Sequence, residues 1–270
     1  MNTIKFRDKL VAEIAKIDCV KGIAQTGDLN EELIPGKSDI DLFVLCDRKI
    51  PSEKERRNVY ECLERFCSEC RMSVCNGGIW GYGDILIVND IDVMPMYFTI
   101  EEMDQYISEV LKGERLGKEG RFYPTGRLAS VETINILYEK GSVWSQLKTK
   151  VKSYPEKLFQ DLFAYHISCV LDEEDLGRVV LRKELLFYHQ VLEDAMDHLL
   201  QAIFALNHCY FPSRKKTKKY LESFSRVPEN CYVKLETIIQ KSTKIETIEE
   251  SVQELRSVTE DIMNLSIYTV

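Results

Sequence analysis

Asp39-Ile40-Asp41-Leu42-Phe43-Val44-Leu45-Cys46 is a run of branched, aromatic and small apolar side chains that opens on two carboxylates one residue apart. A run of this kind reads as a strand. Successive strand side chains point to opposite faces, so Asp39 and Asp41 share one face, within about 7 Å of each other, and Ile40, Leu42 and Val44 occupy the other. Two neighbouring anions at the edge of a core repel and resist desolvation, and a bound cation is their natural stabiliser. Oxygen ligands with water completing the shell suit magnesium.

Working backwards from this strand, Pro35-Gly36-Lys37-Ser38 is turn chemistry, and Val20 to Ala24 reads as a short strand running into Gln25, Thr26 and Gly27. Asp28, with Glu31 three residues on, has the pattern of a capping box for a turn or helix start. Residues 3–17 alternate charged and apolar groups at helical spacing. Working forwards, a helix is expected over about 51–70, followed by Arg71-Met72-Ser73-Val74-Cys75-Asn76 and a glycine-rich segment from Gly77 to Gly83. Ile85–Val88 and Ile91–Phe98 are strand-like runs separated by Asn89-Asp90, a pair suited to a two-residue hairpin turn, so they should pair antiparallel. A third strand carboxylate, Asp92, follows that turn. Asp90 and Asp92 share parity, and it is the turn that makes Asp92 the inward-facing one. Three carboxylates from two strands suit two metal ions about 3.5–4 Å apart, the arrangement used for in-line phosphoryl displacement.

The stretch from Glu101 to Gly113 is helical, 113–127 is a loop, Thr133 to Tyr138 is an edge strand, and another helix starts near Val143. Beyond Pro155 strand signals vanish and long helical runs take over, including one read as continuous from Leu176 to Asn207. The expected fold is α+β: a mixed-sheet domain over 1–154 followed by an all-α helical bundle over 155–270.

Thr26-Gly27, eleven residues, Asp39-Ile40-Asp41-Leu42, and then Asp92 on a later strand together resemble the polymerase-β-like nucleotidyltransferase superfamily. The match covers roughly residues 20–98. The helical half is similar to the stand-alone bacterial members, which include aminoglycoside and lincosamide nucleotidyltransferases. The resemblance implies transfer of a nucleoside monophosphate from a nucleoside triphosphate such as ATP to a hydroxyl of a small molecule, an antibiotic among the possible acceptors, with release of pyrophosphate. It implies that Asp39 and Asp41 bind two magnesium ions. Asp92 would complete the second metal site and help deprotonate the acceptor hydroxyl. The backbone around Thr26 and Gly27 would hold the triphosphate near a helix start, and Ser38 would orient a phosphate or the first aspartate. One position departs from the family pattern: Asp28 stands where a serine is usual. A carboxylate there repels a triphosphate unless it turns away as a cap, which leaves weakened, altered or lost activity open.

The net charge of −8 disfavours a protein that grips long stretches of nucleic acid, because neutralising phosphates needs a basic face. It suits a small cationic acceptor or a protein partner. The one dense basic run, Arg214-Lys215-Lys216-Thr217-Lys218-Lys219, is either a solvated face or a source of phosphate contacts from Arg214 and Lys215. Nine cysteines scattered through the chain argue for reduced thiols in the cytoplasm, and Cys62, Cys67 and Cys70 read as small buried side chains on the 51–70 helix rather than zinc ligands. No run approaches the roughly 20 apolar residues of a membrane span, and the opening residues lack the apolar core of a signal peptide.

Three other readings remain beside small-molecule transfer: modification of a protein side chain by the same chemistry, a non-catalytic nucleotide-binding module, and an HEPN-like ribonuclease. The last rests on Arg182 and His189, seven residues apart on one expected helix. On the same helix Glu184, Glu193, Asp194 and Asp197 read first as an exposed charged face and second as a source of an acceptor-binding acid or base.

Overall fold

The structure, a computed structural model, describes residues 1–267 apart from 28, 30 and 171. It divides into two compact units: 1–109 with 130–153, and 110–129 with 154–270. The second cut falls between Ser153 and Tyr154, and the segment from Val110 to Ala129 groups with the helical unit rather than with the sheet.

The first unit opens with α1 (Thr3–Ile14), capped by the Asn2 side chain, which accepts from the Lys5 amide. Its buried Phe6, Leu10, Val11 and Ile14 recur at helical spacing and face the sheet. Next come β1 (Val20–Gln25), β2 (Asp39–Cys46), α2 (Glu53–Tyr60), β3 (Glu69–Asn76), β4 (Tyr82–Val88), β5 (Ile91–Thr99), α3 (Ile100–Leu111), α4 (Pro124–Thr133), whose first six residues group with the helical unit, β6 (Asn135–Glu139) and α5 (Val143–Val151). The six strands lie in the order β3-β4-β5-β2-β1-β6. β2 and β5 run parallel while the other neighbouring pairs are antiparallel, so the sheet is mixed, and β6 is an edge strand.

Alternation along β2 sorts its side chains as the sequence demands. Ile40, Leu42, Val44 and Cys46 join the α1 side of the core together with Tyr60 of α2 and with Leu86, Val88, Ile91 and Val93. On the opposite face Phe43 packs edge-on against Phe98 at 5.5 Å and stacks on Trp144 of α5 at 6.4 Å. Gly22 on β1 lets Trp144 approach, since a Cβ there would lie 2.6 Å from the indole. Asn89 and Asp90 both adopt left-handed conformations, at φ 52° and 58°, and close the hairpin between the paired residues Val88 and Ile91.

The expected 51–70 helix is shorter. A capping box between Ser52 and Glu55 starts α2, but it ends at Tyr60, and the chain enters β3 by Glu69. Cys67, Ser68 and Cys70 are weak helix formers, and the backbone of Glu69–Arg71 finds ladder partners in Ile85–Ile87. Cys62 is exposed and Cys67 and Cys70 only half-buried, so these three thiols are not core side chains on one helix.

The second unit contains α6 (Glu156–Val170), α7 (Glu173–Arg182), α8 (Leu185–Leu206), α9 (Thr217–Ser223), α10 (Cys231–Lys241) and α11 (Ile248–Ile267). α8 is its axis, with Leu192, Met196, Leu199, Ile203 and Phe204 buried. The run from Leu176 to Asn207 is two helices: Lys183 is left-handed at φ 53° and Glu184 extended, which separates α7 from α8. Among the described residues no helix is long and apolar enough to cross a membrane.

Candidate active site

In the parallel pair β2/β5, Asp39 is the register partner of Asp92, and Asp41 is the partner of Met94. Register partners on adjacent strands lie on the same face about 4.8 Å apart, so Asp39 and Asp92 stand side by side and Asp41 is two residues further along the same face. Asp39 is exposed, and Asp41 and Asp92 are half-buried. The three positions therefore sit at the N-terminal end of the two strands, on the face that further along carries Phe43 and Phe98. Among the described residues no three histidine, cysteine, aspartate or glutamate side chains are gathered into a set that could hold a metal ion.

The same register runs on across the sheet. Asp92 pairs with Ile87 on β4, and Ile87 with Glu69 on β3, while Arg71 pairs with Ile85. The Arg71 guanidinium donates through Nε and Nη2 to the two Glu69 carboxylate oxygens, at 2.6 Å each. That bond raises the Arg71 pKa above its ordinary value, with the Glu69 charge next and the Asp92 carboxylate a smaller contribution of the same sign. Arg71 is a cation near Asp92, and neither the run of residue types nor the expected 51–70 helix indicates it.

The loop expected to cradle phosphates is built of turns. The Thr26 amide donates to the Asp41 carbonyl at 3.1 Å and extends the β1/β2 ladder by one rung. Gly27 is left-handed at φ 79°, with nothing within 4 Å of where a Cβ would be, and its carbonyl accepts from Asn135 Nδ2 at 2.7 Å. Ser38 Oγ accepts from the Ile34 amide at 2.8 Å, while the amides of Lys37 and Ser38 donate to the Ile34 carbonyl. This closed turn, with Pro35 and a left-handed Gly36, leaves no helix among the described residues between β1 and β2. Asp28 and its expected cap lie outside the described residues.

Beneath the sheet, on the α2 side, Arg56 makes a buried bidentate pair with Asp84, at 2.7 Å from Nε to Oδ2 and 3.1 Å from Nη2 to Oδ1. The Asp84 carboxylate also accepts from the Tyr60 hydroxyl at 2.9 Å and from the Ser73 amide at 2.8 Å. This pair is fully bonded, and it braces β3, β4 and α2.

In the helical unit Arg214 donates to Asp197 Oδ1 and to the Glu193 carbonyl, both at 2.6 Å. Lys215 is exposed. Asp197 and Asp194 also hold Lys118, at 2.8 and 3.0 Å. Arg182 ends α7 and lies over the Phe187 ring, whereas His189 is on α8 with Nε2 3.1 Å from the Ser242 carbonyl. The two are not on one helix face, which removes the geometry behind the ribonuclease reading. Sequence reasoning also missed a histidine pair: His166 Nδ1 and His198 Nδ1 are 2.8 Å apart, and Tyr123 packs edge-on against both rings. Burial, and then the neighbouring His198, push His166 down to about 3.

Residues 122–217 match a family described as a domain of unknown function (DUF4037). No curated protein matches the sequence. Among solved structures, the chain is similar to the crystal structure of a nucleotidyltransferase-like protein from Exiguobacterium sibiricum 255-15, with a TM-score of 0.51 and 11% identity over 98% of this chain and 77% of that one. Identity this low shows shared fold alone, an α+β fold with a mixed sheet and a helical region.

Proposed function

We propose that the chain is a magnesium-dependent nucleotidyltransferase that joins a nucleoside monophosphate to a hydroxyl of a small molecule. The observation that carries this reading is the Asp39–Asp92 register on the parallel β2/β5 pair, with Asp41 two residues along the same face. An all-carboxylate donor set fits hard divalent cations. The aspartates would converge by rotation about χ1 and χ2, whose staggered wells move a carboxylate by a few ångströms. When bound, the ions supply charge neutralisation for the triphosphate.

The chain's own residues would do the rest. Gly27, left-handed and open, lets backbone approach the phosphates as no larger residue would. Arg71, close enough to feel the Asp92 charge, would offset phosphate charge from the β3 side by exchanging its Glu69 carboxylate for phosphate oxygens. The acceptor oxygen forms a bond to the α-phosphorus as the bond to pyrophosphate breaks, and the hydroxyl proton passes to the Asp92 carboxylate.

The test is incubation with magnesium, each of the four common ribonucleoside triphosphates in turn and a panel of hydroxyl-bearing acceptors, following pyrophosphate and the mass of the acceptor. An acceptor heavier by one nucleoside monophosphate is the expected product. A product of unchanged mass with inorganic phosphate released would assign the chain to hydrolysis instead.

A further inference from the structure

The helical unit contains a cavity of about 480 Å³, within the range that holds a small organic molecule. Its floor is apolar: Leu192, Met196 and Leu200 from α8 and Leu235 from α10 are buried, and Ile239, half-exposed, forms a wall. The rim is polar, and several of its groups are already engaged. His189 Nε2 lies against the Ser242 carbonyl, and Arg214 directs Nε to Asp197 and Nη2 to the Glu193 carbonyl, so the one guanidinium at the rim is offset by a carboxylate 2.6 Å away.

Two rim groups have no such offset. Glu193 and Glu236 are lining residues exposed at the rim, and neither carboxylate has a hydrogen-bond or ion-pair partner among the described residues. The cavity also reaches Ser242, at the C-terminal end of α10, where helix carbonyls add partial negative charge. One aromatic ring of the lining, Tyr232, already draws an ammonium, Lys218 Nζ, to 5.7 Å from its centre.

We infer that this cavity is a binding site for a small organic cation with an apolar body, a hydrophobic amine held by Glu193 and Glu236 over the Leu192, Met196 and Leu235 floor. An anion of the same shape meets two uncompensated carboxylates, and a neutral compound leaves them unused. The site lies wholly within the helical unit and does not rest on the aspartates of the sheet or on nucleotidyl transfer.

The experiment uses the full chain with isotope-labelled leucine, isoleucine and methionine methyl groups, titrated with 4-phenylbutylamine, 4-phenylbutan-1-ol and 4-phenylbutyrate. The amine is expected to shift the Leu192, Met196 and Ile239 methyls saturably and to bind at least about tenfold tighter than the alcohol, a difference of about 1.4 kcal/mol. Glu193→Gln with Glu236→Gln should remove that advantage while leaving the alcohol's affinity unchanged. Equal binding of amine and alcohol, tighter binding of the butyrate, shifts confined to other methyls, or no saturation by the amine up to about 5 mM would each overturn the inference. The three-ligand comparison on the unaltered chain stands even where the double variant fails to fold.

Discussion

Asp39 and Asp92 face each other across the parallel β2/β5 pair, as register partners fifty-three positions apart in sequence. Two carboxylates about 4.8 Å apart at the backbone, with Asp41 beside them, put three negative charges on one patch of sheet. The charge, more than the shape, should carry the chemistry. Asp41→Asn preserves shape and removes charge, and pyrophosphate release should fall by at least about a hundredfold, the scale of losing a transition-state stabiliser. His189→Ala, in a helix–carbonyl contact of the other unit, should leave turnover within a few fold. Matched assays of the two variants at fixed magnesium and nucleotide decide it, and equal losses in both would defeat the assignment.

Arg71 should affect nucleotide binding more than the chemical step. With Arg71→Ala, KM for the triphosphate should rise by about tenfold, the order of one charge-assisted contact, with kcat little changed, and Arg71→Lys should restore part of the loss. A variant that lowers kcat alone would place Arg71 at the reacting phosphorus instead.

Removing one half of the Arg56–Asp84 pair should be costly. Asp84→Ala strands the Arg56 guanidinium, 4% exposed, and also strips the Tyr60 hydroxyl and the Ser73 amide of their acceptor. A loss of about 3–5 kcal/mol in urea unfolding is expected. The double change Arg56→Met with Asp84→Leu should recover part of it, falling short of the parent because Tyr60 and Ser73 stay unpaired.

The His166–His198 pair should make the helical unit acid-sensitive. Burial holds His166 neutral down to about 3, and burial likewise lowers His198, whereas in the unfolded chain both take up protons near 6.5. The unfolded state thus binds more protons in that interval. The His166 contribution is complete above about pH 6.5 and is lost as pH falls towards 3, by up to about 1.4 kcal/mol per pH unit, and His198 acts in the same direction. Urea midpoints measured from pH 7.5 to pH 4.5 should decline, and His166→Gln should flatten the slope.

What was legible in the sequence was local. β2 is legible to its end residues because alternation and branched side chains agree there, and Asn89-Asp90 marks the hairpin because those side chains tolerate left-handed backbone. β3 was half hidden, since cysteine, serine and methionine favour neither state strongly and its pairing with β4 is a tertiary decision. The nearness of Arg71 to Asp92 could not be read at all, because it is a sum of two pairings across three strands. The break at Lys183 has no glycine or proline to announce it. The capping pattern of Asp28 and Glu31 reads as a turn or helix start, and among the described residues the segment before β2 contains the turn that Ser38 closes on Ile34.

The two-residue turn at Asn89-Asp90 also sets a counting rule for the chain. Side chains on β5 alternate with a period of two, so the number of residues between Val88 and Ile91 decides which face receives Asp92. A single inserted residue must be absorbed as a bulge or it inverts β5, driving Asp92 into the apolar layer under α1 and lifting Val93 into its place. Substitutions within the turn carry no such penalty so long as they accept left-handed backbone. A library selected for folding should therefore be rich in asparagine, aspartate and glycine at these two positions and empty of one-residue insertions, with composition free and length fixed.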